Sequence, residues 1–219
     1  MRVGIVGSGH IGGTLARLLA AAGHEIALSH AGGPESLRDQ VAAIGPGARA
    51  VTVEEATGFG EVIILALPWR EHGTIPGARL AGKIVVDAMN PYTPDRSLYD
   101  LGDSTSSEEV ARTFEGVRLV KAFNTLFARD LGARGNPALP LEERAALLLA
   151  GDDPTAKRVV GGLIEEIGFA PVDAGSLGDG GRLMQPGSPL YTRLLPGADA
   201  RAALERARRA PAPEPPPAR

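Results

Sequence analysis

Three glycines carry the sharpest chemical signal in the sequence. Gly7-Ser8-Gly9-His10-Ile11-Gly12 follows the apolar run Arg2 to Val6 and opens a segment, Ile11 to Ala22, whose Ile11, Leu15, Leu18 and Leu19 recur at helical spacing. Between a strand and a helix, this spacing suits the binding of a pyrophosphate. Gly7 permits a tight turn, Gly9 lets phosphates approach bare backbone, and Gly12 lets helix and strand pack closely. The unpaired N–H groups at the helix start then face the phosphates. The expectation is a dinucleotide site for NADP(H) or NAD(H), with Gly7, Ser8, Gly9, His10, Ile11 and Gly12 around the pyrophosphate.

The adenine ribose is usually read about 20 residues after such a loop, by a carboxylate for a free 2′-hydroxyl or an Arg for a 2′-phosphate. Here that stretch is Leu28-Ser-His-Ala-Gly-Gly33, with neither. Ser29 and His30 are its only polar side chains. Serine can bond either form of the ribose, and a protonated His30 could meet a phosphate.

Other candidates follow strong strand signals, and strand ends form the ligand crevice of an open α/β sheet. Leu67-Pro68-Trp69 ends one apolar run and Ala88-Met89-Asn90 another. Pro68 turns the chain over the cofactor. Trp69, the sole Trp, either covers the nicotinamide or packs at a sheet edge. Asn90 either bonds the carboxamide or a ribose, or sits in a turn with Pro91. Asn124 and Thr125 orient a carbonyl or imine, or close their own loop. Asp87 is a site acid or a turn cap. Asp152 and Asp153 precede Pro154 and read as a helix cap. No metal site is expected. Hydride transfer needs aligned carbons and a dry cleft more than a nucleophile, so no catalytic residue is singled out.

The elements that must position these residues are strands at 2–6, 25–29, 50–53, 61–67, 83–87, 118–123, 145–150 and 170–172. Helices are expected over 11–22, 34–45, 106–114 (capped by Ser106 or Ser107) and 154–167, with loops at 132–140 and 175–189. Apolar strands without polar alternation, separated by helices, predict a parallel sheet covered on both faces. The expected fold is α/β: a Rossmann-like doubly wound parallel sheet over residues 1–128, extended by a small C-terminal α/β unit at 129–195 that completes the cleft. Residues 196–219 read as a tail, its proline-rich last ten disordered.

Composition excludes several classes. The chain has 219 residues, 23 Lys+Arg, 26 Asp+Glu and a formal net charge of -3, giving no general attraction to nucleic acid. It has no Cys, hence no disulfide scaffold or thiolate nucleophile. No apolar run is long enough to span a membrane, and Met1 leads directly into a strand without a signal peptide. A cytoplasmic homodimer acting on a small molecule is expected, with no nucleic-acid or membrane partner.

Several collinear segments resemble the NADP oxidoreductases dependent on the deazaflavin coenzyme F-420. They are the glycine loop, Leu67-Pro-Trp69, Thr105-Ser-Ser-Glu108, Val120-Lys-Ala-Phe-Asn-Thr125, Ala150-Gly-Asp-Asp153, Val172-Asp-Ala-Gly175, and Arg182 with Ser188-Pro189. The resemblance runs from Met1 to about Tyr191. It implies a nicotinamide stacked on a deazaflavin at the strand ends. Leu67, Pro68, Trp69, Ala88, Met89 and Asn90 would line the nicotinamide side. Asn124, Thr125 and Leu126 would border the second substrate, with Arg182 and Ser188 near the cleft and Arg182 meeting the coenzyme's acidic tail. Two features depart from the family pattern. His30-Ala31-Gly32 stands where an Arg pair clamps the 2′-phosphate, and Asn124 stands in place of a His. A reductase of a small imine or carbonyl compound and a non-catalytic dinucleotide sensor are the alternatives.

Overall fold

A computed structural model describes residues 1–209; the proline-rich segment 210–219, expected to be disordered, lies outside the described residues. The strands are β1 (Arg2–Val6), β2 (Glu25–Ser29), β3 (Ala48–Ala50), β4 (Val62–Leu65), β5 (Ile84–Asp87), β6 (Arg118–Ala122), β7 (Ala146–Gly151) and β8 (Ala170–Gly175). They form one sheet in the order β3-β2-β1-β4-β5-β6-β7-β8. The apolar runs are continuous because both faces are covered. Val62 and Ile64 enter one core layer, while Ile63 and Leu65 enter the other. The strand order reverses between β1 and β4, so a crevice opens at their C-terminal ends.

The sheet is parallel except at one place. β7 pairs antiparallel with β6, and β8 then runs parallel to β7. The expected parallel sheet is borne out but for that one antiparallel pair, where the C-terminal unit joins it. Residues 135–145 carry the chain from the end of a short helix back to β7 without a crossover over the sheet.

The helices are α1 (His10–Ala21), α2 (Arg38–Ile44), α3 (Val53–Phe59), α4 (Ser106–Thr113), α5 (Ala128–Arg134), α6 (Pro154–Glu166), α7 (Asp179–Met184) and α8 (Gly197–Arg209). None is long and apolar enough to cross a membrane among the described residues. Five depart from the sequence expectations. Residues 51–53, read as strand, lead into α3, which Thr52 and Glu55 start with a capping box. Thr105, rather than Ser106 or Ser107, caps α4 by the same device with Glu108. α5 was not expected and runs into the start of the expected loop at 132–140, and α7 lies within the expected loop at 175–189. The start of the expected tail is α8, whose Ala200, Ala203 and Leu204 are buried against the β7–β8 end of the sheet.

Asp153 caps α6 through the Thr155 and Ala156 N–H groups and accepts from Arg118. The Arg118 hydrogen bond, then the cap bonds, hold its carboxyl well below the usual carboxylate range. A lowered folded-state value means the contribution is present above the ordinary carboxylate range and is lost as pH falls through the folded value. Asp153→Asn should therefore lower the melting temperature at neutral pH, with the difference shrinking below about pH 4, the ordinary Asp value. Thermal melts across that range check this; a pH-independent difference would show that charge plays no part.

Candidate functional site

The glycine loop leaves β1 at the reversal point and enters α1. Gly7 has φ 107°, in the left-handed region, and a Cβ there would overlap the Ala66 carbonyl. A Cβ on Gly12 would overlap the Gly7 carbonyl. These two glycines are required by the protein's own packing. Gly9 differs: its Cβ would meet nothing within 4 Å. The empty space opens on the cleft, so a ligand could approach the backbone there. No side chain caps α1 and no acidic residue stands in its first turn, which leaves its leading N–H groups for an anion. The loop fits the pyrophosphate of a nicotinamide dinucleotide.

Two clefts meet at Ala66, Leu67 and Pro68, the residues that follow β4. The first, about 630 Å³, runs from Gly7–Gly9 past His30, Ala31 and Thr52–Glu54. The second, about 500 Å³, lies over the ends of β4 and β5 and is lined by His10, Ile11, Trp69, Ala88–Asn90 and Tyr92. Most of the sequence-derived cofactor residues thus gather along one trough.

Several others are turned elsewhere. Ser29 is fully buried, and its hydroxyl donates to the Ile5 carbonyl at 3.0 Å, so it bridges two strands and does not reach a ribose. His30 does reach the cleft, with Nε2 2.7 Å from the Ser36 hydroxyl. Trp69 keeps one edge on the cleft but is 8% exposed. Its Nε1–H donates to the Ser106 carbonyl at 3.1 Å, and its ring packs on His72 and Tyr99. It is chiefly a packing aromatic. Leu126 lies within the core. Arg182, on α7, donates to the Asp103 carbonyl at 2.7 Å, and the Ser188 hydroxyl donates to the Leu183 carbonyl at 2.6 Å. Both hold loops, and neither lines the two clefts.

Asn90 and Asn124 form a reciprocal pair. Asn124 Nδ2 donates to Asn90 Oδ1 (3.1 Å) and to the Met184 carbonyl (2.8 Å), while Asn90 Nδ2 donates to the Asn124 carbonyl and the Tyr191 hydroxyl (3.2 Å each). Phe123, fully buried with φ 64°, turns the chain off β6 to make this possible. Thr125 is buried beside it, and its carbonyl accepts from the Thr192 N–H. Asn90's amide is thus spent on the protein, although its side chain still borders the cleft. Asn124 Oδ1 is buried without a partner among the described residues. Burial, then the Tyr92 hydroxyl, pushes the Tyr191 phenol above its ordinary value, so it stays a protonated donor.

Beneath the cleft lies a polar group that the sequence reading did not assemble. Asp87 and Lys121 are register partners on β5 and β6, and both are essentially inaccessible. Lys121 Nζ donates to Asp87 Oδ2 (3.0 Å) and to the Met89 carbonyl (2.7 Å). Asp87 also accepts from the Ser107 hydroxyl (2.6 Å) and the Met89 N–H (2.9 Å). Asp87 is therefore an ion-pair partner rather than a site acid, and the pair clamps Met89 from both sides. A lone Lys inside the apolar run of β6 was the available signal.

Residues 2–91 match the family described as NADP oxidoreductase, coenzyme F-420-dependent. A hypothetical protein of Sinorhizobium meliloti, SMa0349, has a structure similar to this one at TM-score 0.81 and 35% identity, covering 90% of this chain and 95% of that one. A provisionally named F-420-dependent NADP reductase from an Arthrobacter species is similar at TM-score 0.70 and 24% identity, covering 81% and 86%, a likeness that shows the fold alone. The rat metalloreductase STEAP3 is 33% identical over 180 residues, 80% of this chain, which spans about a third (34%) of that relative's length.

Proposed function

Residues 2–91 match the NADP oxidoreductases of the coenzyme F-420-dependent family, and from that match we propose that the chain exchanges a hydride between a nicotinamide dinucleotide and the deazaflavin coenzyme F-420. The carrying observation is the pair of clefts joined at Ala66–Pro68. One is shaped for the dinucleotide's adenosine end, and the other leaves the surface over Ala88–Asn90 accessible to a second molecule. When bound, the reduced nicotinamide supplies the hydride.

The protein's part is placement. The α1 N-terminus and Gly9 hold the pyrophosphate. Lys121 and Asp87 fix Met89 under the nicotinamide side, and Leu67, Pro68 and Met89 keep that side apolar. Tyr92 and Tyr191, missed in the sequence, stand at the rim with hydroxyls 3.4 Å apart and can donate to a polar edge of the second substrate. The test is rapid mixing of the protein with NADPH or NADH and oxidised deazaflavin. Loss of the deazaflavin's visible band is expected. A protein that binds dinucleotide tightly but never bleaches the band would overturn the reading and favour an imine or carbonyl substrate.

Discrimination between the two dinucleotides should be weak. Among the described residues no Arg or Lys lines the adenosine cleft, Ser29 is turned inward, and Glu54 adds a carboxylate. Arg38, the nearest basic residue in sequence, is paired with Glu35 at 2.5 Å. Charge-assisted phosphate contacts of roughly 1.5–3 kcal/mol each are missing. Calorimetric titrations should give NADPH and NADH affinities within about tenfold, or about 1.4 kcal/mol. A preference for NADPH of several hundredfold would mean that a basic residue swings into the cleft on binding.

A further inference from the structure

Three clefts converge on the glycine loop, and the two described above accommodate a dinucleotide from adenosine to nicotinamide. The third, about 650 Å³ and open to solvent, lies on the outer side of the loop where α1 faces α2 and α5. It meets the adenosine cleft at Ser8 and Gly9, and the nicotinamide cleft at His10. Its walls carry Arg17 from α1 and Arg129 from α5, and among the described residues no Asp or Glu lines it.

Arg17 takes part in no ion pair among the described residues. Its guanidinium reaches across to α5, where a Cβ on Gly132 would lie 3.2 Å from it. Arg129 is 85% exposed, and its Nε stands 3.6 Å from Asp130, too far for a hydrogen bond. Gln40 Nε2 donates to the Ser8 carbonyl at 3.0 Å and closes the α2 side. With Asp130 beside Arg129, the two guanidinium groups still leave the groove net positive in a chain of net charge -3. Arg70, which lines the nicotinamide cleft, pairs with Glu71, and Arg182 holds the Asp103 carbonyl.

We propose that this groove takes the anionic, phosphodiester- and carboxylate-bearing tail of the second substrate, which leaves the nicotinamide cleft past His10 and lies between Arg17 and Arg129. The proposal rests on the deazaflavin reading above. It moves the recognition of the acidic tail from α7, where the sequence placed it at Arg182, to the α1–α5 groove.

The test compares coenzyme F-420 with a deazaflavin lacking the phosphate and carboxylate tail, using wild type and the Arg17→Gln/Arg129→Gln double variant. Both arginines are exposed, so the variant should fold normally. At low salt its KM for coenzyme F-420 should rise roughly tenfold, an effect that shrinks with added salt. Its KM for the tail-less compound and its calorimetric NADPH affinity should not change. An unchanged KM for coenzyme F-420, or an equal rise for both deazaflavins, overturns the groove. Weakened NADPH binding would reassign the arginines to the dinucleotide. If wild type turns over the tail-less compound as well as coenzyme F-420, the groove fails while the deazaflavin reading stands. If wild type turns over neither, both fall.

Discussion

Replacing Gly9 with valine abolishes dinucleotide binding and leaves the protein folded. The two halves of this expectation have separate causes. A side chain on Gly9 meets no protein atom within 4 Å, so the fold tolerates it. The same space is where a pyrophosphate must approach the start of α1, so the ligand does not tolerate it. A loss of at least about 100-fold in affinity, about 2.8 kcal/mol, is expected by calorimetry with NADPH and NADH. The circular dichroism melt should match that of wild type. Gly12→Ala is the contrasting variant: its Cβ overlaps the Gly7 carbonyl, so the melt itself should fall. Unchanged affinity in Gly9→Val would remove the glycine loop from the site.

Lys121→Met is expected to cost about 3–5 kcal/mol of stability, the usual penalty for leaving one member of a buried ion pair uncompensated. Asp87 is fully buried and would keep only the Ser107 hydroxyl and the Met89 N–H. The Met89 carbonyl would also lose its donor. Adding Asp87→Asn to Lys121→Met removes the stranded charge and should recover part of the loss, because an amide oxygen can still accept from the Met89 N–H. Urea unfolding of the wild type and both variants measures this. A loss below about 1 kcal/mol for Lys121→Met, the size of an exposed pair, would show that the site is wetter than its burial implies.

The glycine loop, the apolar strands and the polar residues at strand ends were legible in the sequence because each follows from short-range physics. Turn geometry dictates where glycine is needed, and burial on both sheet faces dictates runs without polar alternation. The capping boxes of α3 and α4 were equally local signals, present at Thr52 to Glu55 and Thr105 to Glu108, and the reading passed over the first and misplaced the second.

Only the tertiary structure decided which polar side chains are free to meet a ligand. Ser29, Asn90 and Arg182 have the right chemistry for binding, yet each is committed to a partner 24 to 101 residues away. Asp87 and Lys121, unremarkable 34 residues apart, become a buried pair because β5 and β6 bring them into register. Arg17 and Arg129 share a groove only because α1 packs on α5. Periodicity reports which face of an element is buried. It carries no information on which distant donor or acceptor a side chain will find there, and that pairing separates residues that bind from residues that hold the fold.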